Sequence, residues 1–90
     1  KYTPDFILYK KVGTPMYIES KGRFLTADKQ KHILLHKQYP DLDLRFVFSN
    51  SNTRISKKSR TTYAMWCKKH GFKYADKFIP KEWLKEVRTN

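Results

Sequence analysis

A single small α+β domain is the fold class predicted by this ninety-residue sequence. Three observations carry the prediction. Runs rich in aromatic and β-branched residues alternate with stretches bounded by helix start and stop signals. The length allows one modest core and no second domain. A content of 39% hydrophobic and 16% aromatic residues is enough to fold that core.

Two runs, Tyr2 to Tyr9 and Met16 to Lys21, read as the strands of a hairpin joined by Lys-Lys-Val-Gly-Thr-Pro. Alternation along a strand sets Glu19 and Lys21 on one face, and an antiparallel partner could bring Asp5 beside them. The next element is a helix with Thr26 as N-cap, Asp28 in its first turn and its end at Tyr39, stopped by Pro40. Ala27, Lys31, Leu34, Leu35 and Gln38 fall along one side of it. Lys29, Lys31, His32, His36 and Lys37 give a basic surface, read either as a DNA-contacting face or as a solvated one.

The nearly continuous apolar run Leu44 to Phe48 predicts a strand buried on both faces at the centre of a sheet. A polar stretch from Ser49 to Arg60 follows. Its Arg54, Lys57, Lys58 and Arg60 are candidate phosphate contacts, and the alternative is a plain connector. A second helix runs from Thr61 or Thr62 to His70 with Gly71 as its C-terminal cap. Phe72 to Ala75 reads as a brief strand, and Pro80 opens a short helix from Lys81 to Glu86 in which Trp83 packs inward.

A formal charge of +12 and a pI near 10.0 point to a polyanionic partner, with nucleic acid first, because a phosphate backbone rewards clustered Lys and Arg by releasing counterions. A membrane partner is not expected. No apolar run approaches the ~20 residues needed to span a bilayer, and no signal peptide is visible, so the chain reads as soluble. The single cysteine, Cys67, cannot form an internal disulfide, in keeping with a reducing compartment. The first residue is Lys1 and not Met, which leads us to expect a segment upstream.

Two carboxylates and one ammonium can support metal-dependent phosphodiester hydrolysis. Carboxylates are hard oxygen ligands for Mg²⁺, the metal polarises the phosphate, and a lysine can position water or neutralise developing charge. The alternative is a hairpin whose polar residues simply face water. His32 and His36 have the spacing that lets two imidazoles share zinc, but no intervening Glu or third ligand accompanies them, and Cys67 with His70 is no stronger. Gly13, Gly22 and Gly71 stand alone, so there is no glycine-rich phosphate loop. A non-catalytic nucleic-acid-binding module, stacking bases on Tyr2, Phe6 and Tyr9, is the reading of a different class.

Tyr2-Thr3-Pro4-Asp5-Phe6, Glu19-Ser20-Lys21-Gly22, Lys31-His32-Ile33-Leu34 and Tyr39-Pro40-Asp41-Leu42-Asp43 occur in one order with later segments. Those later segments are Val47-Phe48-Ser49, Cys67-Lys68-Lys69-His70-Gly71, Ala75-Asp76-Lys77 and Ile79-Pro80-Lys81-Glu82-Trp83. The set resembles the phage endonuclease I family, the Holliday-junction resolvases of short-tailed phages, from Tyr2 to Glu86. The resemblance implies a PD-(D/E)xK restriction-endonuclease-like fold, a mixed central sheet flanked by helices. It implies that Asp5 and Glu19 bind Mg²⁺ or Mn²⁺ together with the main-chain carbonyl of Ser20, while Lys21 assists the attacking water and hydrolysis leaves a 5′-phosphate and a 3′-hydroxyl. It also implies a homodimer that recognises branched DNA by shape, acting in the cytoplasm of an infected bacterium. The chain departs from the family at its start. The family places a further catalytic glutamate on a helix before the match to Tyr-Thr-Pro-Asp and exchanges that region between subunits, whereas no acidic residue precedes Asp5 here. The turn between the motif strands is also slightly longer. We therefore expect a single endonuclease domain over residues 1–90 that lacks the N-terminal helix and dimerisation segment. The nearest enzymatic alternative is a site-specific DNA endonuclease of homing type built on the same core.

Overall fold

The computed structural model describes residues 4–88. Seven elements follow in order: β1 (Phe6–Leu8), β2 (Met16–Lys21), α1 (Thr26–Gln38), β3 (Asp43–Phe48), α2 (Tyr63–His70), β4 (Lys73–Asp76) and α3 (Lys81–Leu84). The strands form one sheet in the order β1-β2-β3-β4. β1 pairs antiparallel with β2, whereas β2 with β3 and β3 with β4 are parallel, so the sheet is mixed. Each parallel pair needs a crossover, which α1 and α2 supply. The expected α+β class holds, and the predicted strands are found. The first is shorter than its sequence run, whose Tyr2 and Thr3 lie outside the described residues.

β3 is one of the two inner strands, as its apolar run requires, and its alternation builds two cores. Leu44, Phe46 and Phe48 point to the side where Phe24, Tyr63, Trp66, Cys67 and Phe72 gather. Val47 points to the other, against Met16, Ile18 and Trp83. The first core is mostly aromatic: Phe24 meets Trp66 edge-on at 4.8 Å, and Trp66 stacks on Phe72 at 5.4 Å. Such pairs each add about 0.5–1.5 kcal/mol beyond their buried area. Trp83 is buried as expected, so α3 closes the second face.

α2 follows its sequence signals closely. Thr62 Oγ1 accepts from the Met65 N–H at 3.2 Å, and Gly71 ends the helix at φ 77°, a left-handed conformation that costs glycine little. α1 differs in two respects. Its N-cap is Leu25 and not Thr26, and the Leu25 N–H donates to Asp28 Oδ2 at 3.2 Å. Its inward stripe is also differently phased. Lys29, His32 and Ile33 turn toward the sheet, and the His36 ring lies 5.2 Å from Phe72. Ala27, Lys31, Leu34 and Gln38 face solvent.

The reading of Lys29 and His32 as DNA contacts on an exposed basic face is therefore corrected: they are 8% and 0% exposed. Lys29 lays its alkyl stem on the core and donates from Nζ to the Phe24 carbonyl at 3.1 Å, and burial lowers its pKa. The His32 ring packs edge-on against Phe46 at 5.0 Å. Burial, reinforced by Lys21 and Lys31, holds His32 down to about 4, so at neutral pH it is an uncharged aromatic.

This depressed pKa has a stability consequence. The unfolded imidazole takes up a proton near pH 6.5 and the folded one only near 4, so stability falls as pH drops through that window and the loss is complete below about 4. The difference corresponds to about 3 kcal/mol. In His32→Phe, the decline of unfolding free energy between pH 7 and pH 4, measured by urea denaturation, should shrink by most of that amount. An unchanged slope would refute the assignment.

Candidate active site

At the carboxyl end of the sheet, β2 presents Glu19 and Lys21 on the aromatic-core side, opposite Phe46 and Phe48 of β3. The β1–β2 register pairs Phe6 with Ile18, and one step further along both strands sets Asp5 opposite Glu19. Asp5 Oδ2 accepts the Ser20 N–H at 2.8 Å, which fixes the exposed aspartate against the β2 backbone. Glu19 is 5% exposed, at the mouth of the core. Lys21 Nζ stands 3.9 Å from Glu19 Oε1 and 3.6 Å from Asp28 Oδ1. The structure thus brings Asp5, Glu19, Ser20 and Lys21 together, as the hairpin reading expected.

Asp28 is the residue that sequence reading placed only as a helix-dipole partner. The four-residue connection from Gly22 to Leu25 folds the first turn of α1 back over the end of β2. Asp28 consequently caps α1 and pairs with Lys21 alongside Glu19. The short spacing between the strand end and the helix start was the signal available in the sequence.

The loop between β3 and α2 is anchored at its base. Ser51 donates from its backbone N–H and its Oγ to Asp76 at 2.6 and 2.8 Å, and Ile55 N–H meets the Thr61 carbonyl at 2.8 Å. Arg54, Lys57, Lys58 and Arg60 are all exposed on it. Arg54 and Lys57 face Gly22, Arg23 and Leu25 across a cleft of about 470 Å³, whereas Lys58 and Arg60 lie outside its lining. Lys31 remains on the surface of α1. Cys67 sits in the core, where burial pushes its thiol up to about 12, so it is a protonated packing residue at neutral pH and not a nucleophile.

Among the described residues, no three His, Cys, Asp or Glu side chains converge on a point that could hold a metal ion. Asp5 and Glu19 supply two carboxylates with the Ser20 peptide between them. Mg²⁺ is commonly held by one or two carboxylates and keeps several waters, so this hard-oxygen donor set suits such an ion and does not suit a thiophilic one.

The family model described as phage endonuclease I matches residues 1–90. Over 87 residues, or 97% of the chain, the sequence is 48% identical to Endonuclease I of Escherichia phage T7, of which this covers 56%. It is 46% identical over the same length to Endodeoxyribonuclease 1 of Enterobacteria phage T3, covering 55% of that protein. The chain therefore spans little more than half the length of these relatives. No helix among the described residues is long and apolar enough to cross a membrane.

Proposed function

Because the chain belongs to the phage endonuclease I family, we propose that it is the catalytic domain of a metal-dependent DNA endonuclease that cuts branched DNA. The observation that carries this reading is the anchoring of Asp5 on the Ser20 N–H, next in the chain to Glu19, with Lys21 beside them. The relatives named as endonucleases support the reaction class, and the charge of +12 supports a polyanionic substrate. The mixed sheet with its acidic hairpin at one edge is consistent with a PD-(D/E)xK arrangement.

Asp5, Glu19 and the Ser20 main-chain carbonyl would hold Mg²⁺ or Mn²⁺, which supplies positive charge against the phosphoryl oxygens and makes water a better nucleophile. The chain's own groups do the rest. The Ser20 N–H keeps Asp5 turned toward the site. Lys21, held between Glu19 and Asp28, offers an ammonium that orients the attacking water and neutralises charge as the phosphate expands. Arg54, Lys57, Lys58, Arg60 and Lys31 meet phosphates without reading bases. A homodimer, a further glutamate from an upstream segment and action inside an infected bacterium complete the proposal.

The test incubates the protein with four-way, linear duplex and single-stranded DNA in Mg²⁺, Mn²⁺ or EDTA. Divalent-dependent products from the four-way substrate alone, ending in 5′-phosphates, are expected. One cut in one linear sequence would replace the junction reading with a homing-type enzyme. Retention without products in any metal would leave a DNA-binding module and overturn the proposal.

A further inference from the structure

The cleft beside Lys21 has a chemistry of its own. Its walls come from the β2–α1 connection on one side and the anchored loop on the other, and they carry Arg23, Arg54 and Lys57 with no Asp or Glu in the lining. Among the described residues, none of the three has a carboxylate partner, although five ion pairs form elsewhere. The floor is fixed. Phe24 and Tyr63 are buried there, and the Tyr63 hydroxyl accepts the Phe24 N–H at 3.1 Å. The loop cannot easily swing its cations away, since Arg54 is bridged to Thr62 and the Tyr63 N–H donates to the Thr53 carbonyl at 2.9 Å.

We propose that this cleft is a subsite for one backbone phosphate of the cleaved DNA strand, next to the phosphate being hydrolysed, with Arg23, Arg54 and Lys57 as its ligands. The proposal rests on the endonuclease reading for which strand enters it. Scale supports the assignment: two backbone steps, at most about 7 Å of chain, separate Lys21 from Arg23. A DNA strand rises about 3.4 Å per nucleotide along the helix axis, and its consecutive phosphates lie further apart than that through space, so a phosphate at Lys21 sets the next one over the cleft. Two guanidinium groups suit a phosphodiester because each can present two parallel donors to its oxygens. Tying the strand down here would hold the scissile phosphate in register with Asp5 and Glu19, which makes Arg23 and Arg54 positioning residues. Lys58 and Arg60 lie on the same loop outside the cleft and provide the contrast.

The test measures affinity in EDTA, where no hydrolysis intrudes, for DNA carrying a single uncharged methylphosphonate at successive positions on either side of the cleavage point or branch. The unsubstituted protein should lose roughly tenfold at one position. Arg23→Gln/Arg54→Gln should bind unmodified DNA more weakly and lose most of the penalty at that same linkage, the remainder belonging to Lys57. Lys58→Gln/Arg60→Gln should weaken binding yet keep the full penalty. In the Arg23→Gln/Arg54→Gln variant, kcat on saturating unmodified DNA should also fall, a change that mere loss of affinity would not give. Additive losses at every position would overturn the subsite while leaving the endonuclease reading intact. The same coupling in a protein that cleaves nothing would support the subsite and remove the endonuclease reading.

Discussion

Glu19→Gln is expected to lower cleavage of branched DNA by about 10³-fold or more while changing affinity in EDTA by no more than about threefold. The substitution keeps the shape of a side chain that is 5% exposed at the mouth of the core, so packing around Phe46 survives. It removes one of the two charges facing each other across the hairpin, and Lys21 keeps Asp28 as its remaining ion-pair partner. Asp5→Asn is the matched variant. An amide oxygen still accepts the Ser20 N–H that orients this residue, so the backbone is undisturbed and only the charge is lost. A loss of that size is about 4 kcal/mol of transition-state stabilisation. A second measurement separates loss of metal affinity from a general defect: Mg²⁺ or Mn²⁺ should raise the melting temperature of the unsubstituted protein and not that of either variant. Cleavage at the original rate by both variants would refute the assignment of the site.

The grouping of the candidate site was legible in the sequence because its parts are local. Asp5 and Glu19 belong to one hairpin, and period-two alternation decides which of its side chains share a face. The β3 core and the Thr62-to-Gly71 helix were legible for the same reason, each being set by a contiguous run or by adjacent caps. α1 was not. Its inward stripe contains Lys29 and His32, and a residue's chemistry does not reveal that its stem or its neutral ring will be the part buried. Arg45 was hidden in another way. It stands inside the apolar run of β3 on the face opposite Leu44 and Phe46, and its carboxylate partners are Asp43, which Lys10 shares, and Glu86, positions that no window of sequence joins. The basic cleft also needed the structure, since Arg23 and Lys57 are distant in the chain and meet only through the crossover.

Arg45 is the site of the largest expected stability loss. Its guanidinium, 1% exposed, donates from Nε and Nη2 to Asp43, both at 2.9 Å, and from Nη1 and Nη2 to Glu86 at 2.8 and 2.9 Å. Trp83 covers it at 5.2 Å, and Lys10 pairs with the same Asp43. Burial alone would lower the arginine's pKa, but the bonds from Glu86 and Asp43 outweigh it and raise the value. Burial alone would likewise raise Asp43, but Arg45 and Lys10 hold it low. Glu86 is held low chiefly by its bond to Arg45. This knot joins three parts of the chain, because the Lys11 N–H also donates to the Glu86 carbonyl at 2.8 Å and the Arg88 N–H to the Tyr9 carbonyl at 2.7 Å. It thereby clamps the chain just after β1, the strand that Asp5 immediately precedes. Arg45→Met keeps a stem beneath Trp83 but strands Asp43 with Lys10 alone. Breaking one partner of a buried pair costs about 3–5 kcal/mol, and most of that falls on Asp43, since the Glu86 side chain is 39% exposed and screened by water. At a roughly 4–8 °C change per kcal/mol for a domain of this size, the melting temperature should fall by more than about 10 °C. Both carboxylates have depressed folded pKa values, so their contribution is complete above the unfolded range near 4 and is lost as pH falls through the folded values. The deficit of Arg45→Met, measured by urea denaturation, should therefore be largest at pH 7 and narrow as the pH falls below about 4. A deficit that is small at pH 7, or equal at both ends of that range, would show that the knot does not hold the fold.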